Sequence, residues 1–182
     1  MDGSHTFTPE GGTVNTTITA IPWVIDKSTW GPGPWQNEPD RVEWRHAGLP
    51  CLAVRHPVGG FWCGYAAVAP GHPYHGVDDW QTFAVDVHQG ANYAAACIGP
   101  VCHVPAPGDP DDVWWVGFDC GHTFDLAPGI VANLRTIGAS EDLIERLQAV
   151  GAYRTLAYVR VETERLAAQL AAIGAAGDHV GT

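Results

Sequence analysis

Residues 51–68, CLAVRHPVGGFWCGYAAV, hold two apolar runs, Cys51–His56 and Phe61–Val68, on either side of the turn Pro57-Val58-Gly59-Gly60. Runs of this length around a Gly-Gly turn predict a β-hairpin. Upstream, Val42–His46 alternates and adds a strand. Downstream, Thr82–His88 also alternates, with Phe83, Val85 and Val87 facing one way and Asp86 and His88 the other. Val113–Asp119, VWWVGFD, is a further strand, entered through the turn-forming stretch Pro105–Pro110.

From Ser140 onward the apolar period becomes helical. Ser140 is placed to cap a helix running to Val150, with Glu141 and Asp142 in its first turn. Between Tyr153 and Ile173, Leu156, Val159, Leu166, Leu170 and Ile173 form one narrow stripe, with Thr163 filling its gap. Such a stripe either lies across the sheet or forms a seam for homo-oligomerisation through the C-terminal helix. Strands first and helices last define an α+β fold, an antiparallel sheet with hairpins in residues 40–120 and two C-terminal helices packed on it. The expected organisation is an irregular segment over 1–20, one domain over 21–173 and a frayed tail over 174–182.

Composition narrows the function classes. The 182 residues are 46% hydrophobic, and no apolar run approaches the roughly 20 residues of a membrane span. No basic region followed by an apolar stretch opens the chain, so an intracellular protein is expected. Net charge is −11, from 20 acids against 9 Lys plus Arg, and the basic residues do not cluster. Direct nucleic-acid binding and attachment to anionic membranes are therefore not expected. Five cysteines are an odd number in a chain with no export signal, which argues against a disulfide framework and for reduced thiols or metal ligands.

The residues that carry chemistry concentrate between His88 and Asp125. Cys97, Cys102 or His103, Cys120 and His122 are soft and borderline donors suited to tetrahedral zinc, and Asp119, His122 and Asp125 make a harder set. The metal candidates are thus His103, Asp119, Cys120, His122 and Asp125, although their spacings match no zinc finger, ribbon or knuckle. A nucleophilic alternative pairs the thiol of Cys63 or Cys120 with His103 or His122 and with Asp119 or Asp125, but the chain has few positive groups to activate a thiolate. Eight tryptophans suggest a different site. Trp114 and Trp115 are adjacent on one strand and must point to opposite faces. With His88, His72 of the loop Gly71–Gly76, and Arg55, they are the candidate lining of an aromatic small-molecule pocket.

Five segments in order carry a family resemblance: GPWQNEPD (33–40), AGLPCLAVRHPVGGFWCGYAAVAPGHP (47–73), DVHQG (86–90), CHVPAPGDPDDVWWVGFDCGH (102–122) and YRTLAYVRVETERLAAQL (153–170). Together they resemble a family of tailed-bacteriophage and prophage hypothetical proteins of the type found in phages of high-GC actinobacteria. Where that family usually reads V-H-G-G-L-T, this chain has Val87-His88-Gln89-Gly90-Ala91-Asn92, keeping the histidine but not the first glycine. The resemblance implies a phage origin and expression in the cytoplasm of the bacterial host. It further implies an accessory protein acting against a host defence, by sequestering a small nucleotide-like signal or by binding a host protein. The competing expectation from the residues is a metal-dependent hydrolase using the His, Asp and Cys cluster of 88–125.

Overall fold

The computed structural model describes residues 23–178, so the segment expected to be irregular at 1–20 lies outside the described residues. The hairpin is present. Strands β1 (Arg41–His46), β2 (Leu49–Arg55) and β3 (Trp62–Val68) form an antiparallel meander, and Gly60, at φ 76°, takes the left-handed position of the β2–β3 turn. Strand β4 (Tyr93–Ala96) and strand β5 (Trp114–Asp119) complete a five-stranded antiparallel sheet of order β1-β2-β3-β5-β4. Helices α1 (Pro128–Thr136), α2 (Glu141–Val150) and α3 (Leu156–Asp178) follow, and the α+β class expected from the sequence is the one observed.

Helix α3 lies over β2 and β3, and its stripe does the packing. Val159, Thr163, Leu166 and Leu170 are fully buried against Ala53, Trp62, Ala66, Val68, Val116 and Phe118. Each large apolar side chain in that set contributes roughly 1.5–3 kcal/mol by leaving water. Thr163 tolerates burial because its hydroxyl donates to the Val159 carbonyl at 2.8 Å. The stripe read as a possible self-association seam is therefore spent on the sheet. Of the tail expected to fray, residues 174–177 continue the helix, which ends at Asp178. Among the described residues no helix is long and apolar enough to cross a membrane.

Helix α3 approaches the sheet closely at Gly64. A methyl group there would sit 2.6 Å from Phe118 Cζ and closer still to Thr163 Oγ1. Gly64→Ala is expected to lower stability by about 1–3 kcal/mol through overpacking, read as a lower urea midpoint with an unchanged slope.

Two segments differ from expectation. Thr82–His88 is not a strand, although Phe83 and Val87 are buried and Asp86 is exposed as its alternation suggested. Its backbone is satisfied by side chains instead. Ala84 N donates to Tyr74 Oη at 2.9 Å, and Asp86 N donates to Gln169 Oε1 of α3 at 2.7 Å. The edge position beside β5 goes to Tyr93–Ala96, an alanine-rich run of low strand propensity. Helix α1 was not foreseen either. Pro128 opens it, in the first turn where a missing N–H costs nothing, and Gly129 N donates to Gly59 O of the hairpin turn at 3.0 Å.

The sheet face away from α3 carries Leu52, Val54, Tyr65, Ala67 and Trp115 and is covered by residues of the 97–113 connection and by Trp23. That connection starts with a correction. Cys97 and Cys102 are joined by a disulfide, brought together by the tight pairing of Ile98 with Val101. The odd cysteine count is resolved by Cys51, Cys63 and Cys120, all free and buried. Trp114 and Trp115 point to opposite faces, as the strand period requires.

Candidate functional site

The 88–125 region does converge, but with its membership changed. His88 sits in the turn before β4, His122 and Asp125 in the loop after β5, and their ligand atoms lie within 4.8 Å of one another. Backbone hydrogen bonds hold the loop: Asp125 N donates to His122 O at 2.9 Å, and Leu126 N and Ala152 N pair it with the strand-like segment before α3. The His88 turn is strained. Gln89, at φ 54°, occupies the left-handed position of a turn closed by Gly90 N donating to Val87 O at 3.0 Å. A glycine suits that conformation better.

Asp125 is the hub, with a side chain only 2% exposed. Its Oδ2 accepts from His88 Nε2 at 2.8 Å and from the His122 backbone N–H at 3.2 Å, while Oδ1 accepts from Arg154 Nε at 2.8 Å. Burial works against the ionised carboxyl, yet the Arg154 and His88 hydrogen bonds outweigh it and hold the pKa below the ordinary aspartate value. On the other ring nitrogen, His88 Nδ1 lies 3.0 Å from Tyr158 Oη, and the tyrosine ring stands edge-on to the imidazole. Thr155, whose hydroxyl accepts from Tyr158 N at 3.3 Å, caps the same first turn of α3.

His122 faces this hub with less support. Its Nδ1 is shielded from solvent, has no hydrogen-bond partner among the described residues, and lies 3.7 Å from Asp125 Oδ2 and 3.7 Å from Asp119 Oδ1. Asp119 is itself oriented, accepting from Gly121 N at 2.8 Å and from Asn92 Nδ2 at 2.6 Å. One third of the His122 and Asp119 side chains is exposed, so the cluster has a closed side at Asp125 and an open side toward solvent. Two imidazoles, one ionised carboxylate and an open flank are a donor set able to hold a metal ion.

The other sequence candidates are elsewhere. His103 stands on the opposite sheet face against the Trp115 ring. Cys120 is buried in the α3-side core, and burial pushes its thiol pKa up. Burial also raises the Cys63 thiol to about 12, which leaves neither cysteine a thiolate for nucleophilic attack. The expected aromatic pocket does not form. Trp115 is fully buried, and Trp114 Nε1 donates to Val77 O at 2.9 Å. His72 accepts at Nδ1 from Tyr74 N and donates from Nε2 to Leu170 O at 2.9 Å, which ties its loop to α3.

Arg55 is not a ligand contact either. It is fully buried, stacked on Trp62 at 4.3 Å, and bonded to Asp40 Oδ1 and Glu38 Oε2 at 2.8 Å each, to Gly60 O at 2.9 Å and to Tyr153 Oη at 2.7 Å. Glu38 in turn accepts from Tyr153 Oη at 2.5 Å and, through Oε1, from Leu156 N at the start of α3 at 2.8 Å. Neighbouring residues Tyr153 and Arg154 thus enter two separate carboxylate networks at the same helix end. Arg154, Tyr158 and Asn92 were not singled out from the sequence, because arginine, tyrosine and asparagine carry no motif of their own there.

An α+β domain with a His–His–Asp cluster at one end of its sheet is what the fold and site define. No family model, curated protein or solved structure matches the chain.

Proposed function

We propose that the protein is a metal-dependent hydrolase whose ion, zinc by donor type, is held by His88, His122 and Asp125. The observation that carries this reading is the convergence of the three, with a shielded His122 Nδ1 that has no partner aimed at an ionised Asp125. A bound divalent ion supplies Lewis acidity and lowers the pKa of a coordinated water.

The chain's own groups supply the rest. Tyr158 Oη orients the His88 ring and is placed to accept an Nδ1 proton, so that Nε2 would be the donor to an ion in place of its hydrogen bond to Asp125. Arg154 keeps Asp125 ionised. Asp119, oriented by Asn92 and Gly121 and partly exposed, stands beside the ligand set as a general base. In this reading the hydrolase works as a phage accessory protein in the host cytoplasm and acts on a small signalling molecule. Sequestration of a nucleotide-like signal without cleavage loses support, because Trp115, His72 and Arg55 are committed to packing and internal hydrogen bonds.

The test strips the protein with a chelator, reloads it with zinc, and incubates it with cyclic nucleotides and other phosphodiesters, phosphomonoesters and amides, with products read by chromatography. Turnover that needs the ion and is lost in His122→Ala is the expected result. Recovery of every compound intact from the zinc-loaded protein, including any released only on heating, contradicts hydrolysis.

A further inference from the structure

We infer that the groove between Trp23, the disulfide loop and His103 is a binding site for an uncharged nucleobase or nucleoside, independent of the metal cluster. It lies on the sheet face away from α3 and encloses about 460 Å³, within the roughly 300–1,000 Å³ typical of small-molecule sites.

Its walls are held in place before any ligand arrives. Trp23 is pinned by its Nε1 donating to Arg55 O at 3.2 Å. The loop carrying Pro100 and Cys102 is closed by the Cys97–Cys102 disulfide and tied down by Arg41, whose Nε donates to Pro100 O at 3.3 Å and Nη2 to Cys102 O at 2.5 Å. A site built this way loses little freedom on binding.

The polar chemistry of the groove is unfinished in a specific way. Both ring nitrogens of His103 are shielded from solvent, and neither has a hydrogen-bond partner among the described residues. Behind His103, outside the groove's lining, lies the fully buried Trp115 ring, which the imidazole meets edge-on. Buried polar groups without partners carry a penalty that a ligand supplying them removes. Burial depresses the His103 pKa, so at neutral pH the ring offers one N–H donor and one bare nitrogen acceptor. Binding requires the imidazole to turn one of these nitrogens into the groove. A planar ring with alternating donors and acceptors on its edge and an apolar face for Trp23 meets these demands, and nucleobases are that class.

Charge decides between nucleoside and nucleotide. Arg41 is the cation lining the groove, and its guanidinium is already paired with Glu43 and two carbonyls. A phosphate therefore gains little there and faces a chain of net charge −11. Neutral ligands are favoured.

The experiment titrates chelator-treated protein with adenosine, cytidine and adenosine 5′-monophosphate by calorimetry, and follows the His103 ring nitrogens by NMR. Metal-free protein keeps the outcome separate from that of the hydrolase reading. A nucleoside is expected to bind and shift the His103 nitrogens, with the monophosphate no tighter than adenosine. His103→Phe is expected to weaken nucleoside binding by about tenfold or more while leaving the melting temperature equal or higher, since it removes two unpaired buried polar atoms. No nucleoside binding at millimolar concentration overturns the proposal. So does undiminished binding to His103→Phe, or monophosphate binding much tighter than adenosine.

Discussion

Arg55→Met is expected to destabilise the protein by about 3–5 kcal/mol, a large share of the roughly 5–15 kcal/mol that holds a domain together. Methionine fills a similar volume and keeps contact with Trp62, so packing is not the main loss. The loss is electrostatic. Glu38 and Asp40 are left without the guanidinium that bonds both of them, and Tyr153 Oη and Gly60 O each lose a donor. Lys27, 2.6 Å from Asp40 Oδ1, compensates only in part. Arg55→Lys rescues little, because an ammonium cannot span the two carboxylates in the fork geometry.

The same network sets an acid limit. Burial raises the Glu38 pKa, but hydrogen bonds from Tyr153, Leu156 N, Arg55 and Trp62 outweigh it and hold it below the ordinary glutamate value. A carboxyl whose folded pKa is depressed stabilises the fold above its unfolded value, about 4.3, and that contribution is lost as pH falls through the folded value. In Arg55→Met one of those bonds is gone. Melting temperature measured against pH is expected to drop less on acidification than in the parent, because the folded value has moved toward the unfolded one and less stabilisation remains to be lost; an unchanged acid profile would contradict this account of Glu38.

The second large effect is a split between two members of the His–His–Asp cluster. Asp125→Ala removes a buried acceptor shared by His88, the His122 backbone and Arg154, and is expected to cost about 2–3 kcal/mol of stability besides abolishing metal binding. His122→Ala removes a side chain one third exposed with no ring hydrogen bond to lose. Its stability is expected to change by less than about 1 kcal/mol, while metal affinity falls by at least about a hundredfold. Paired urea denaturation and zinc titration of the two variants check the split. If His122→Ala unfolds as readily as Asp125→Ala, the residue is packing and the site loses a ligand.

The hairpin was legible because its signal is local: two apolar runs with a Gly-Gly turn between them, whatever the rest of the chain does. The α3 stripe was legible for the same reason, and so was the opposition of Trp114 and Trp115. Strand β4 was not, because Tyr93-Ala94-Ala95-Ala96 is a strand only through its partner β5. Thr82–His88 shows the reverse case. Its alternation described the burial of Phe83 and Val87 and the exposure of Asp86 but not that of His88, which is buried, and its backbone partners include the side chains of Tyr74 and Gln169, which period cannot reveal.

The His88–His122–Asp125 cluster lies within the stretch singled out from the sequence, while His103 and Cys120 of that stretch are delivered elsewhere by long-range geometry. His103 and His122 are close in sequence, yet β5 runs between them and delivers them to different places. His88, named both among the ligand-pocket candidates and in the hydrolase cluster of 88–125, joins His122 and Asp125. Arg55 read as a ligand contact because a strand arginine is usually exposed, and its burial depends on Glu38, Asp40 and Tyr153 arriving from distant segments. The disulfide was missed because the odd cysteine count was read across the whole chain, whereas Cys97 and Cys102 are joined by one short turn.

Zinc titrated calorimetrically into chelator-stripped protein, beside His122→Ala and at equal pH, tests the central claim most directly. One ion bound per chain, with His88 Nε2 exchanging its hydrogen bond to Asp125 for the ion, and binding lost in His122→Ala while the variant stays folded, is the predicted result. No stoichiometric binding, or equal binding by the folded variant, would show that His88, His122 and Asp125 form a hydrogen-bonded brace between the β5 loop and α3 and hold no metal.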